Sequence, residues 1–193
     1  MTTDEIKEQL RQRLTAFRGE EFCEMMMSKS CLVEVAKGEK VNDFQSKNKR
    51  LFYILQGSVM TNYVTDNNET RTIMFHTEKF LPFFKSYDTF FLKEHTHYEM
   101  IANEPTMMLS IDFEPFYQYV LNDLVLLQYY THQTEELFMY TELFRNNQMG
   151  LDAKGYMEWL YEHFRFLFQR FPAQAIASFM GITPSWLSRL KAQ

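Results

Sequence analysis

The sequence predicts an α+β chain. An N-terminal antiparallel β-roll, jelly-roll-like and with flanking helices, is followed by one long helix and a small C-terminal helical unit. Three observations carry this. Between Cys31 and Ile111, short runs rich in β-branched and aromatic residues alternate with turn signals. From Asn122 to about Arg145, apolar residues recur at helical spacing. Beyond Asn146–Gly150 the pattern stays helical and ends in two short helices around Gly181. The expected division is 1–121, 122–147 and 148–193.

Taken in order, Thr2 and Glu5 match a capping box, and Ile6, Leu10, Leu14 and Phe17 recur every three to four residues, predicting a helix over 3–18. A second helix is expected over Glu20–Met27, its methionines serving as core filler. The strands are expected in LVEVAKGEKV, LFYILQGSVMTNYVT, TRTIMFHT, HYEMIANE and TMMLSID, with Val59–Val64 and Thr70–Phe75 paired as a hairpin across Asp66–Asn68. Strands at this spacing indicate a sandwich or roll. Between Phe75 and Tyr98, aromatics mix with polar residues around Pro82, predicting a loop with a short helix placed where a ligand could be held. Phe113–Tyr119 reads as a short helix, with Asn122 as the cap of the long one.

Two stripes run along that long helix. Val125, Tyr129, His132, Met139 and Leu143 form one; Leu126, Tyr130, Leu137, Tyr140 and Phe144 form the other. Two stripes on one helix suit packing on its own sheet and on a second copy. Asn146–Gly150 is expected as a hinge. Asp152 then caps a helix to about Arg170, with Tyr156, Trp159, Leu160, Phe164, Leu167 and Phe168 inward.

Composition narrows the function classes. An apolar fraction of 46% and an aromatic fraction of 17% support a substantial core. No apolar run is long enough to span a membrane, and the amphipathic start lacks the apolar centre of a signal peptide, so a cytoplasmic location is expected. Cys23 and Cys31 are too few for an iron–sulfur cluster and read as free thiols. The net charge of −5 is uneven: residues 151–193 carry +2 and the rest −7. An acidic body with a mildly basic end suits contact with nucleic acid at that end alone, strengthened by duplication.

The end of the chain reads FPAQAIASFMGITPSWLSRLKAQ. It fits a DNA-reading helix-turn-helix: Ile176 and Ala177 inward on the first helix, and Gly181 in a turn that needs positive φ and where a Cβ would clash. Ile182, Leu187 and Leu190 fasten the second helix, Thr183 caps it, and Pro184 stands in its first turn. Thr183, Ser185, Trp186, Ser188, Arg189 and Lys191 are the candidate DNA contacts. Arg189 suits a guanine edge or a phosphate, the serines phosphates or bases, and Lys191 a phosphate. Trp186 fits a thymine methyl or sugar, or packing against the preceding helix.

With these motifs in place, the chain resembles the bacterial Crp/Fnr family of transcription regulators. LFYILQGSV is similar to the family's strand pair, with Gly57 as its turn glycine. The segment from Leu151 onward is similar to the output segment, with IASFMGITPSWLSR as the specific run. The resemblance implies a cyclic-nucleotide-binding-like sensor roll, dimerisation through the long helix, and operator DNA, a second copy, a small-molecule effector and RNA polymerase as partners, with no cofactor and no enzymatic activity. Val125, Tyr129, His132, Met139 and Leu143 become dimer-interface candidates.

Two departures stand out. Members that bind cyclic nucleotides carry a Gly-Glu pair followed by an Arg, which hold the ribose and the phosphate. The matching stretch Phe80–His97 has no Gly and no Arg; the cations in and beside it are Lys79, Lys85 and Lys93. cAMP and cGMP are therefore not expected as ligands. Phe75, Phe80, Phe83, Phe84, Tyr87, Tyr98 and Tyr130 are the pocket candidates, either around a flat apolar effector or packed shut. Many members also continue into a β-wing, whereas this sequence stops three residues after Leu190. Weak binding at each half-site is the expectation.

The residues also fit other readings. His95, His97 and Glu99 form H-x-H-x-E, which on a strand could converge on a metal as in a cupin-like protein. A module binding protein rather than DNA is another. His132 could sense pH at an interface, although half-buried packing is the commoner use.

Overall fold

The computed structural model describes residues 2–14, 20–43, 46–47, 49–65, 67–92 and 95–192, without the side chains of residues 3, 9, 10, 13, 14 and 20–22. The expectations for Leu10, Leu14 and Phe17, and for Asp66 and Lys93, lie outside this set. The elements are α1 (Thr3–Leu14), α2 (Glu20–Lys29), β1 (Ser30–Val35), β2 (Lys40–Asn42), β3 (Arg50–Gln56), β4 (Ser58–Val64), β5 (Thr70–Thr77), β6 (Phe83–Phe84), α3 (Tyr87–Phe91), β7 (Tyr98–Ala102), β8 (Thr106–Asp112), α4 (Phe113–Asn122), α5 (Leu124–Gly150), α6 (Ala153–His163), α7 (Arg165–Arg170), α8 (Ala173–Met180) and α9 (Pro184–Lys191).

The strands form two antiparallel four-stranded sheets, ordered β1-β8-β3-β6 and β2-β7-β4-β5. Phe52, Ile54, Val59, Met100 and Met108 fill the space between them. On β3 the alternate residues Leu51, Tyr53 and Leu55 face the other way, onto Ile6, Cys23 and Met26 of α1 and α2 and onto Phe113, Phe116 and Val120 of α4. Burial on both faces is why this strand reads as a continuous apolar run rather than an alternation. Thr2 and Glu5 make the expected capping box, at 2.7 and 3.3 Å. The hairpin of β4 and β5 pairs Val64 with Thr70 and Ser58 with Thr77.

Gly57 joins β3 to β4 at φ +108, and a Cβ there would stand 2.7 Å from the Thr106 Cα. Both the dihedral and the close approach demand glycine. Gly181 is different. Its φ is +72, but a Cβ would meet only the Gln148 side chain, at 3.4 Å. The clash expected at this turn is absent, and the backbone conformation alone favours glycine.

The helical half departs from expectation in three places. Asn122 closes α4, its amide donating to the Gln118 carbonyl, and Asp123 caps α5 by accepting from the Val125 and Leu126 N–H groups. The long helix does not break at Asn146–Gly150. It runs through Gly150, with the Asn147 amide donating back to Leu143, and ends where Leu151 turns extended and Asp152 caps the next helix. Finally, the helix expected from Asp152 to Arg170 is two. Phe164 leaves helical geometry at φ −133, ψ 43, while its ring is buried against Phe144, Phe80 and Trp159. Packing of that ring outweighs continuity of the helix.

Candidate nucleic-acid interface and effector pocket

Pro172 starts α8, which buries Ile176, Ala177, Phe179 and Met180. Its end is a Schellman motif: the Ile182 N–H reaches the Ala177 carbonyl and the Gly181 N–H reaches Ser178, both at 3.0 Å. The Thr183 hydroxyl then accepts from the Trp186 N–H at 3.2 Å, and Pro184 occupies the first turn of α9. Leu187 and Leu190 are buried. This leaves Thr183, Ser185, Trp186, Ser188, Arg189 and Lys191 exposed together on α9. Trp186 is 43% exposed. Lys191 Nζ sits 5.1 Å from the centre of the Phe168 ring.

The helix pair is seated on its own roll. Phe75 of β5 packs against Phe171 and Phe179 at 4.5 and 5.1 Å between ring centres. The Ser178 hydroxyl accepts from the Thr72 N–H at 3.0 Å on β5, which is an edge strand. Arg170 holds Glu78 bidentately at 2.9 and 2.7 Å and reaches Glu104 at 2.7 Å, while the Asn103 amide donates to the Arg170 carbonyl. These contacts join residues 66 to 106 positions apart in sequence, and no local pattern announces them.

A cavity of about 240 Å³ lies between the roll and α5, lined by Thr61, Met74, His76, Phe84, Lys85, Tyr87, Tyr98, Leu137 and Thr141 among others. Three expected pocket residues, Phe84, Tyr87 and Tyr98, line it. Phe75 and Phe80 instead belong to the core under α6–α8, and Phe83 packs on Tyr53 and Tyr129. Tyr130 stands behind the wall, accepting from Lys85 Nζ at 2.6 Å. Sequence reading missed His76, Leu137 and Thr141 as lining. Leu137 did carry a signal, since it lies on the long-helix stripe that faces the roll. His76 is fully inside: its Nδ1–H donates to the Leu81 carbonyl at 2.9 Å, so Nε2 accepts from the Thr61 hydroxyl at 3.0 Å, and burial pushes its pKa down to about 4. Lys85 is caged. Its ammonium stands 3.9 to 5.5 Å from the centres of five rings, those of Phe113, Tyr87, Phe90, Tyr130 and Phe91, and burial pushes its pKa down to about 8. The cavity thus offers hydroxyls and apolar rings rather than an arginine and a glutamate.

The metal constellation does not assemble. β7 begins at Tyr98, after both histidines, and Glu99 is held by Lys40 at 2.7 Å, while His97 lies 3.8 Å from Asp88. Among the described residues no group of three His, Cys, Asp or Glu side chains could hold a metal ion.

On α5 the two stripes separate. Leu126, Tyr130, Leu137, Tyr140 and Phe144 pack on the chain itself. Of the other stripe, Tyr129 is buried against Phe83 and Leu143 packs into the core, Val125 is half-buried, and His132 and Met139 are exposed. The open apolar side is rotated from the expected one: Leu124, Phe138 and Met149 are 69%, 67% and 80% exposed and share one side of α5. No helix among the described residues is long and apolar enough to cross a membrane.

A roll of two antiparallel sheets, a long helix and a terminal helix-turn-helix in this order define the Crp/Fnr type of fold, and solved structures agree. FixK2 from Bradyrhizobium japonicum superposes with a TM-score of 0.69 at 12% identity, over 85% of this chain and 83% of that one. A CooA mutant from Carboxydothermus hydrogenoformans gives 0.70 at 15%, over 93% and 82%. CLP from Xanthomonas campestris, described as a c-di-GMP responsive global regulator, gives 0.67 at 14%, over 88% of each chain. At these identities the likeness is one of fold. No protein-family model and no curated protein matches the sequence.

Proposed function

We propose that this chain is a dimeric DNA-binding transcription regulator rather than an enzyme. The observation that carries the reading is the terminal motif itself: a Schellman turn, a Thr183 cap and a second helix whose Ser185, Ser188 and Arg189 stand free while Leu187 and Leu190 anchor it. The dimer joins through the open side of α5 at Leu124, Phe138 and Met149, with Val125, His132 and Met139 on its flank. Two recognition helices then meet half-sites one helical turn apart on operator DNA.

The cavity between roll and α5 is the effector site in this reading. It is smaller than the ~300–1,000 Å³ usual for small-molecule pockets and its chemistry suits a compact apolar molecule, not cAMP or cGMP. A ligand there touches β5 through Met74 and His76, and β5 carries Phe75 and Thr72, which hold the helix-turn-helix. An effector that fits one arrangement better than the other shifts the population between them. Movement is taken up at Leu151–Asp152, the break that replaces the expected hinge. Contact with RNA polymerase follows only if the bound regulator activates.

Selection of bound duplexes from a random pool tests the reading. Enriched sequences should carry two-fold-related half-sites centred about 10 base pairs apart. Recovery of no common element would contradict it.

A further inference from the structure

Arg165 and Lys191 form a cluster that the recognition helix alone does not explain. The Arg165 guanidinium lies 5.2 Å from the centre of the Tyr161 ring, and Lys191 Nζ 5.1 Å from that of Phe168. The two rings meet edge to face at 5.5 Å, with Tyr161 48% exposed. Two exposed cations, one from α7 and one from α9, are thus seated on adjoining aromatic rings of α6 and α7. Among the described residues no carboxylate lies within ion-pair distance of Arg165, Lys191 or Arg189. Elsewhere in the chain some exposed cations are paired, as in Arg145 with Glu142 at 2.6 Å and Lys40 with Asp43 at 2.8 Å.

The placement of the cluster gives it a partner. With Leu187 and Leu190 buried, Ser185 and Arg189 fall at the middle of the free side of α9 and Lys191 falls on one flank. A helix lying in a major groove about 12 Å wide has a phosphate strand along each flank. Phe168 lies beneath Lys191, so α7 continues that flank outward. Rings that hold the cations in place reduce the rotamer entropy lost on binding, and Tyr161 and Arg165 both present donors to phosphate oxygens.

We propose that Arg165, Tyr161 and Lys191 form a phosphate-gripping edge that extends the DNA interface from α9 onto α6 and α7. The edge rests on the DNA-binding reading and adds backbone contacts to it, positioning the recognition helix without reading sequence. It supplies positive charge where an acidic body would otherwise repel the duplex.

Salt titration of the full chain on a random-sequence duplex is the test, by fluorescence anisotropy between about 50 and about 200 mM salt. Each cation on a phosphate contributes about 0.9 to the slope of log affinity against log salt. Arg165→Gln should therefore flatten the slope by about 0.9 per engaged protomer, and Arg165→Lys should restore it. Tyr161→Leu, which keeps both charges but removes the ring, should weaken binding several-fold with little change in slope. An Arg165→Gln slope equal to wild type, alongside a flattened slope for Arg189→Ala, overturns the edge and leaves the helix-turn-helix reading standing. A wild-type chain that binds no duplex overturns both. Equal thermal midpoints for the variants and wild type exclude misfolding as the cause.

Discussion

His76 is neutral because burial disfavours its charged form, which outweighs the opposing pull of the Leu81 carbonyl on Nδ1–H. The unfolded chain takes up this proton near pH 6.5 and the folded chain only near pH 4. Between those values the unfolded state binds more protons, so stability is intact above about pH 6.5 and falls as pH drops through the window. The loss between pH 7 and pH 5 should be about 2 kcal/mol. Urea unfolding of wild type and His76→Gln at the two pH values checks this, because the glutamine variant should lack that increment. Equal pH dependence in the two proteins would show that His76 is not the group. Two glycines offer a second contrast. Gly57→Ala must strain the backbone and drive a Cβ into Thr106, costing more than about 2 kcal/mol, whereas Gly181→Ala meets only a mobile side chain and should cost about 1. Thermal melts should rank them in that order, and equal costs would remove the close-approach argument.

Element boundaries were legible where local chemistry decides them. The Thr2–Glu5 box, the Asp152 and Thr183 caps and the Gly181 turn act within a few residues of themselves, so the chain announces them. Boundaries set by distant packing were not. Phe164 breaks a helix because its ring fits between Phe144 and Phe80, and Asn146–Gly150 stays helical although its composition suits a loop. On α5, Tyr129 and Leu143 of the expected outer stripe pack on the chain itself for a related reason. Periodicity shows that two apolar sides exist, but only the position of the roll shows which side is taken. Tyr129 belongs to the roll, and Leu124, Phe138 and Met149 remain open. Phe138→Glu should therefore shift sedimentation from dimer to monomer at micromolar concentration while leaving the melting temperature of the roll nearly unchanged. A variant that stays dimeric would place the interface elsewhere.

Across the whole molecule, the roll and the helix-turn-helix are joined by Arg170, Phe171 and Phe179 as well as by the chain. The bidentate Arg170–Glu78 pair, with Glu104 beside it, is partly shielded from solvent, so its charge-assisted hydrogen bonds should hold the two parts together by about 1–3 kcal/mol. In Arg170→Gln, amides of α8 should exchange hydrogen at least several-fold faster while those of β3 and β8 keep wild-type protection. Unchanged exchange in α8 would mean that the Phe75 cluster suffices alone. The fold order and the α8–turn–α9 motif could be read from the sequence. The small cavity, with its caged Lys85, and the Arg170 junction could not, because each depends on residues brought together from distant positions.

On the proposed function, the free side of α9 reads DNA. The direct measurement is binding of wild type and Arg189→Ala to an enriched duplex at fixed salt, with the dimer verified by sedimentation. Loss of one base-edge contact per protomer should weaken binding at least tenfold, about 1–3 kcal/mol for each contact, without dissociating the dimer. Equal affinity of the two proteins for that duplex would contradict the account.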